Sequence, residues 1–276
     1  MTSQVPLNLT LAEVRARTVL EECGLDCPTE LPLEDIVLGR GAFFQEETLQ
    51  GKDGQIITVG DRSVITVRPD LTPVGRRRFT IAHELGHYEL HRNLLPVFSD
   101  SADSLLQWYQ GNTHEREANC FAAEFLMPSE LFRAEAQRAC GTDRRKIREE
   151  GIDLPVVIDA LTATFRVSQS AAMLRYVTHG NHPVMAVYCK DNQIAWFKKS
   201  DDFPYYLRGV WITPPHETIA SEAFLTGSAP PKDRRKQVVP KSAWFFSNGW
   251  DNDNEFFEYC VYANKYGYTL SLIWER

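Results

Sequence analysis

Apolar positions recur at helical spacing through most of the first 180 residues and alternate with polar ones further on. Leu9, Leu11, Val14, Val19 and Leu20 define an amphipathic helix over 9–23, which Gly24 stops. Pro28 and Pro32 predict an extended stretch, and a short helix follows from Leu33 to Leu38. Two β-branched runs, 55–59 and 63–67, flank Gly60, Asp61 and Arg62 and predict a hairpin. Beyond Pro73 a helical pattern covers 75–91, with Phe79, Ala82, Leu85 and Gly86 three or four apart. Residues 93–113, rich in Pro, Asn, Ser and Gly, predict a loop with one helical turn around 102–109. A strong helix over 113–127 stops at Pro128, and Ser129 caps another over 130–140. Residues 154–177 give two short helices around Arg166, Val167 and Ser168, the outline of a helix-turn-helix. Past a boundary at 178–183, strands are expected at 184–189, 194–198, 256–263 and 268–274, with 226–237 an exposed loop.

This order predicts an α+β chain in three parts. A mainly helical region with a small hairpin sheet occupies 1–150, the helix-turn-helix-like segment 151–180, and a β-containing domain 181–276. The last part holds 19 of the 31 aromatics, which at alternating spacing mark a β-core before a ligand pocket. The formal charge of −7 argues against a broad nucleic-acid or anionic-membrane surface. No apolar run approaches the ~20 residues of a membrane span, and the first residues lack the basic-then-apolar order of a secretory signal. A soluble, cytoplasmic protein is the expectation. Six scattered cysteines without a CxxC pair then imply reduced thiols. The mixed charges of 142–150 imply a solvated face.

The histidines change the picture, because His83, His87 and His91 fall within nine residues. His83-Glu84-Leu85-Gly86-His87 is an HExxH motif inside a predicted helix. Residues four apart share a helix face about 5–6 Å apart at Cβ, so both imidazoles can meet one Zn2+. Glu84 is turned about 100° away, where its carboxylate reaches a water on the metal without ligating. His91 lies about 12 Å along the axis from His83, too far to share the ion, and is expected either behind a ligand or, by preference, at the surface. Leu90 and Asn93 stand where the metzincin pattern requires Gly and His, which excludes that class.

A catalytic zinc needs a third protein ligand and an open position. On the 113–127 helix, Ala118, Phe121, Ala122 and Phe125 define the buried face, and Glu115 points the same way. Glu115 is the expected third ligand, with Glu117 as the alternative. Asn119, one turn beyond Glu115, is placed to hydrogen-bond a ligating histidine. His114, Tyr88 or an arginine of 76–78 could each donate to a developing oxyanion, and the sequence leaves that choice open.

Together, RRRFTIAHELGHYELH at 76–91 and EREANCFAAEFLMP at 115–128 resemble the ImmA/IrrE family of metallo-endopeptidases. The resemblance covers residues 9–178. It implies a zincin-like metallopeptidase domain with His83, His87 and Glu115 as zinc ligands and Glu84 as the catalytic residue. It also implies a cytoplasmic protease whose substrate is a helix-turn-helix repressor of the Xre type, cleaved to derepress stress-response or mobile-element genes. In one branch of the family a GAF-like sensor follows, which would fall on 181–276.

Two other classes compete. A DNA-binding regulator would use 168–177 as its recognition helix, but that segment offers only Gln169 and Arg175 toward bases and phosphates. A sensor or binding protein with a conditional or vestigial protease site would draw on the aromatic, polar stretch 244–259. Asp251, Asp253 and Glu255 within it lack the glycine and closing glutamate of a calcium loop.

Overall fold

Small residues decide how the first helix packs. In the computed structural model, which describes residues 9–94, 97–101, 112–141, 151–231, 235–246 and 254–276, helix α1 (Leu9–Glu22) buries Ala12, Ala16, Val19 and Leu20. Leu11 and Val14, expected on the buried face, are 53% and 48% exposed. Alanines four apart let α1 approach its neighbour more closely than leucines would. The helix stops at Gly24, whose φ of +68° suits glycine.

By contacts the chain forms two compact units, Met1–Leu131 with Ala163–Ser168, and Phe132–Thr162 with Gln169–Arg276. In the first, α2 (Leu33–Gly39) leads into β1 (Phe43–Glu46), a strand the sequence pattern did not announce. The expected hairpin is β2 (Lys52–Val59) against β3 (Arg62–Val67), turning at Gly60 and Asp61. β1 adds parallel to β3, and β4 (Val97–Ser101) adds antiparallel to β2, giving the order β1-β3-β2-β4. β4 corrects the loop expected at 93–113. Its sequence, VFSDS, has little strand character of its own, and its pairing with β2 supplies the order. The helical turn expected at 102–109 lies outside the described residues, as does the charged run 142–150.

The facing pair Ile56 and Ile65 is buried together with Val67, while Ile57 and Val59 are exposed. Against this sheet lies α3 (Val74–His91), and α4 (Thr113–Leu126) packs on α3 and α1. Gly86 makes the close α3–α4 approach possible: a Cβ there would sit 3.1 Å from Phe121 Cδ1 and 3.2 Å from the Ala118 backbone. Arg15 and Arg40 both bond Glu89 and tether the outer side of α3. α5 (Ser129–Cys140) and α6 (Leu154–Phe165) follow.

In the second unit, α7 (Gln169–His179) buries every residue from Ser170 to Val177. Gln169 bonds Asp159 at 2.9 Å and Arg175 is 5% exposed, so the would-be base-reading side chains of the helix-turn-helix outline are drawn into packing. β5 (Met185–Lys190), β6 (Gln193–Lys199), β7 (Lys236–Pro240), β8 (Glu255–Ala263) and β9 (Tyr268–Glu275) form one antiparallel sheet, order β6-β5-β9-β8-β7. The four expected strands are all present. β7 takes the end of the expected 226–237 loop, and α8 (Ile219–Thr226) precedes it. Many of the aromatics serve the core, with Phe203, Phe245 and Phe256 clustered and Tyr188 stacked on Trp196 at 4.9 Å, while Tyr206, Trp211 and Phe246 are exposed. Glu258 lies wholly inside, accepting from the α8 amides of Ile219 (2.9 Å) and Ala220 (3.1 Å) and from the Ser271 hydroxyl (2.7 Å). Burial pushes its pKa up. Asp251 and Asp253 lie outside the described residues. None of the six cysteines is in a disulfide, and no described helix is long and apolar enough to cross a membrane.

Candidate metal centre

Two helices bring the candidate ligands together. α3 carries His83 and His87 one turn apart on its buried side, and both are fully buried. Glu115 stands in the first turn of α4, where Asn112 caps the helix by accepting from the Glu115 amide at 3.0 Å. The cap fixes the start of α4, and Glu115 projects onto the α3 histidines.

His83 Nε2 lies 3.1 Å from His87 Nε2 and 3.1 Å from Glu115 Oε2, and His87 Nε2 lies 3.5 Å from Glu115 Oε1. With zinc–nitrogen bonds of about 2.0–2.1 Å, the edge of a tetrahedron is about 3.3 Å. The two imidazole nitrogens are thus at about that spacing and face different oxygens of Glu115, so each of the three residues can offer one ligand atom to a single ion. Glu117, the alternative ligand, is turned toward His91 (3.0 Å).

The proton positions agree with that use. Asn119 Oδ1 lies 2.9 Å from His83 Nδ1, so this nitrogen donates and the lone pair falls on Nε2, facing the other donors. Burial lowers the His87 pKa from 6.5 to about 4, keeping the ring neutral and able to ligate. Burial works to raise Glu115, but the adjacent His83 and His87 imidazoles outweigh it and hold the carboxyl below its usual range.

Glu84 is fully buried on the neighbouring side of α3, beside β2. Gly54 of β2 makes room for it: a Cβ there would lie 2.8 Å from Glu84 Oε1 and 2.6 Å from Thr80 Cγ2. Nothing along the chain signals this contact, because Gly54 and Glu84 meet only once β2 lies against α3.

His91 takes the less favoured of its two expected places. It is 2% exposed rather than at the surface, and its Nδ1 lies 3.1 Å from His87 Nδ1. The signal was present in the spacing: His83, His87 and His91 share one helix face, so burying the first two buries the third. Among the auxiliary donors, Tyr88 bonds the Arg40 carbonyl (2.9 Å), Arg76 pairs with Asp53, Arg77 with Glu34 and Glu46, and Arg78 with the Pro28 carbonyl (2.6 Å). His114 instead lies by the site, its ring 4.8 Å from that of His91 and 5.9 Å from Phe98, while Phe98 stacks on His87 at 4.3 Å.

Residues 40–176 match the family model Peptidase_M78, described as an IrrE N-terminal-like domain. No curated protein matches the chain. Among solved structures, a Mycobacterium tuberculosis transcriptional regulator is similar, with a TM-score of 0.59 and 17% identity over 96% of this chain and 76% of that one. At that identity the likeness is one of fold.

Proposed function

Because the chain belongs to the ImmA/IrrE family through its IrrE N-terminal-like Peptidase_M78 domain at 40–176, we propose that it is a zinc-dependent endopeptidase acting on a helix-turn-helix repressor of the Xre type. Cleavage would derepress stress-response or mobile-element genes. The observation that carries the reading is the convergence of His83 Nε2, His87 Nε2 and the Glu115 carboxylate, close enough for each residue to offer one ligand atom to a single ion.

A bound Zn2+ supplies Lewis acidity, bringing the pKa of a water toward ~7 and polarising a peptide carbonyl. Three residues do the holding, and Asn119 keeps the His83 lone pair aimed at the ion. Glu84 takes the proton of the attacking water and returns it to the leaving amine. Its carboxylate is set for this by the buried side of α3 and by the space that Gly54 leaves. His114 is our choice for the donor that stabilises the oxyanion, since it lies by the site while the arginines of 76–78 and Tyr88 are engaged elsewhere. The antiparallel sheet of the second unit, with helices packed on it, supports a GAF-like sensory role for 181–276. A regulator of similar fold is compatible with an output in transcription.

The experiment is co-incubation with a helix-turn-helix repressor, taken from the neighbouring reading frame if that frame encodes one, with zinc and with chelator. Wild type should cut only with zinc, and Glu84→Gln should bind zinc yet leave the repressor intact. Cutting by Glu84→Gln would refute the role of Glu84. Intact repressor under every metal condition would favour a sensor or binding protein.

A further inference from the structure

His87 is oriented by more than its place on α3. Its Nδ1 faces His91 Nδ1 at 3.1 Å, and His91 Nε2 faces Glu117 Oε2 at 3.0 Å. A carboxylate only accepts, so His91 Nε2 carries hydrogen and donates to Glu117. The neutral His91 ring then has its lone pair on Nδ1, where it accepts from His87 Nδ1–H. That leaves the His87 lone pair on Nε2, the atom that faces His83 Nε2 and Glu115. Phe98 holds the rings in place, stacked on His87 at 4.3 Å and 5.6 Å from His91.

We infer that Glu117 and His91 form a positioning relay that fixes the tautomer and ring orientation of His87 and so strengthens metal binding. Neither residue ligates. Glu117 reaches the metal site through two imidazoles in series, as Asn119 reaches it through His83. The two ligating histidines are thus locked by separate devices, an amide from the buried face of α4 and a carboxylate–histidine pair. The helical spacing of four that aligns His83 with His87 aligns His87 with His91 as well, so one geometry builds both ligand pair and relay. The inference rests on the zinc reading of the site.

Its test uses the full chain and two readouts, zinc affinity by chelator competition and the His87 ring tautomer in metal-free protein by long-range 1H–15N correlation. Wild type should show His87 protonated at Nδ1. His91→Phe keeps a ring but removes the acceptor, and should lose that tautomer preference and bind zinc ~10–100-fold more weakly. Glu117→Leu should follow it. Glu117→Gln, whose amide oxygen still accepts, should stay within about threefold of wild type. Wild-type zinc affinity in folded His91→Phe, or His87 protonated at Nε2 in wild type, would overturn the relay. If His91→Phe fails to fold, Glu117→Leu decides, since that side chain is 16% exposed and leaves no large cavity. If wild type binds no zinc, the zinc reading fails, and the tautomer spectra still judge the relay.

Discussion

On the proposed function, Gly54→Ala should slow cleavage by about 100-fold without emptying the metal site. The added Cβ would lie 2.6 Å from Thr80 Cγ2, 2.8 Å from Glu84 Oε1 and 3.1 Å from Glu84 Cγ. Comfortable carbon contacts are about 3.5–4.0 Å, so the overlap is close to an ångström. The strand has little freedom to retreat, because Gly54 is paired with Val67 on one side and Asp100 on the other. Thr80 is buried and β-branched, hence stiff at χ1. The longer Glu84 side chain must therefore move. A displacement of ~1 Å at a reacting group costs on the order of 100-fold in rate, or about 2.7 kcal/mol of barrier. Overpacking of about 1–3 kcal/mol should exceed the ~0.5–1 kcal/mol gained by replacing a strand glycine, so stability also falls. The assay pairs kcat for repressor cleavage with zinc content and thermal unfolding. Gly39→Ala is the control, since nothing lies within 4 Å of its added Cβ. Gly54→Ala protein that holds zinc and cleaves at the wild-type kcat would refute the reasoning.

Acid should weaken the metal-free protein. Burial depresses His87 from 6.5 to about 4, so the unfolded chain takes up that proton first, and the stability due to neutral His87 is full above pH 6.5 and lost as pH falls toward 4. At ~1.4 kcal/mol per pH unit the loss is on the order of 3 kcal/mol. Glu115, held below its usual 4.5, adds to the loss in the same direction once pH drops under that value. Urea unfolding across this window should show the slope, and a flat profile contradicts it. Asn119→Ala should weaken zinc binding ~10–100-fold by freeing the His83 tautomer, measured by chelator competition; unchanged affinity would remove Asn119 from the site. In the second unit, Glu258→Leu should deprive the Ile219 and Ala220 amides and the Ser271 hydroxyl of their acceptor. At about 1–3 kcal/mol per buried unsatisfied group, its melting temperature should fall well below that of Glu258→Gln, and equal values would argue against this account of the glutamate.

What the sequence determined by itself is what neighbours along the chain determine. The extents of α3 and α4, the hairpin and four strands of the second sheet follow from periodicity and from Gly and Pro stops, which act within a turn or two. The motif spacing likewise places His83 and His87 on one face, and the buried stripe of α4 puts Glu115 on the side facing them. Tertiary structure decided what depends on residues far apart. β4 becomes a strand only by pairing with β2. α1 buries Ala12 and Ala16 because close approach of another helix favours small side chains over Leu11 and Val14. The room for Glu84 exists because β2 presents a glycine to α3. The burial of His91 and the proton order from Glu117 to His87 depend on α4 lying against α3, where distance and orientation, not spacing along the chain, fix which nitrogen donates.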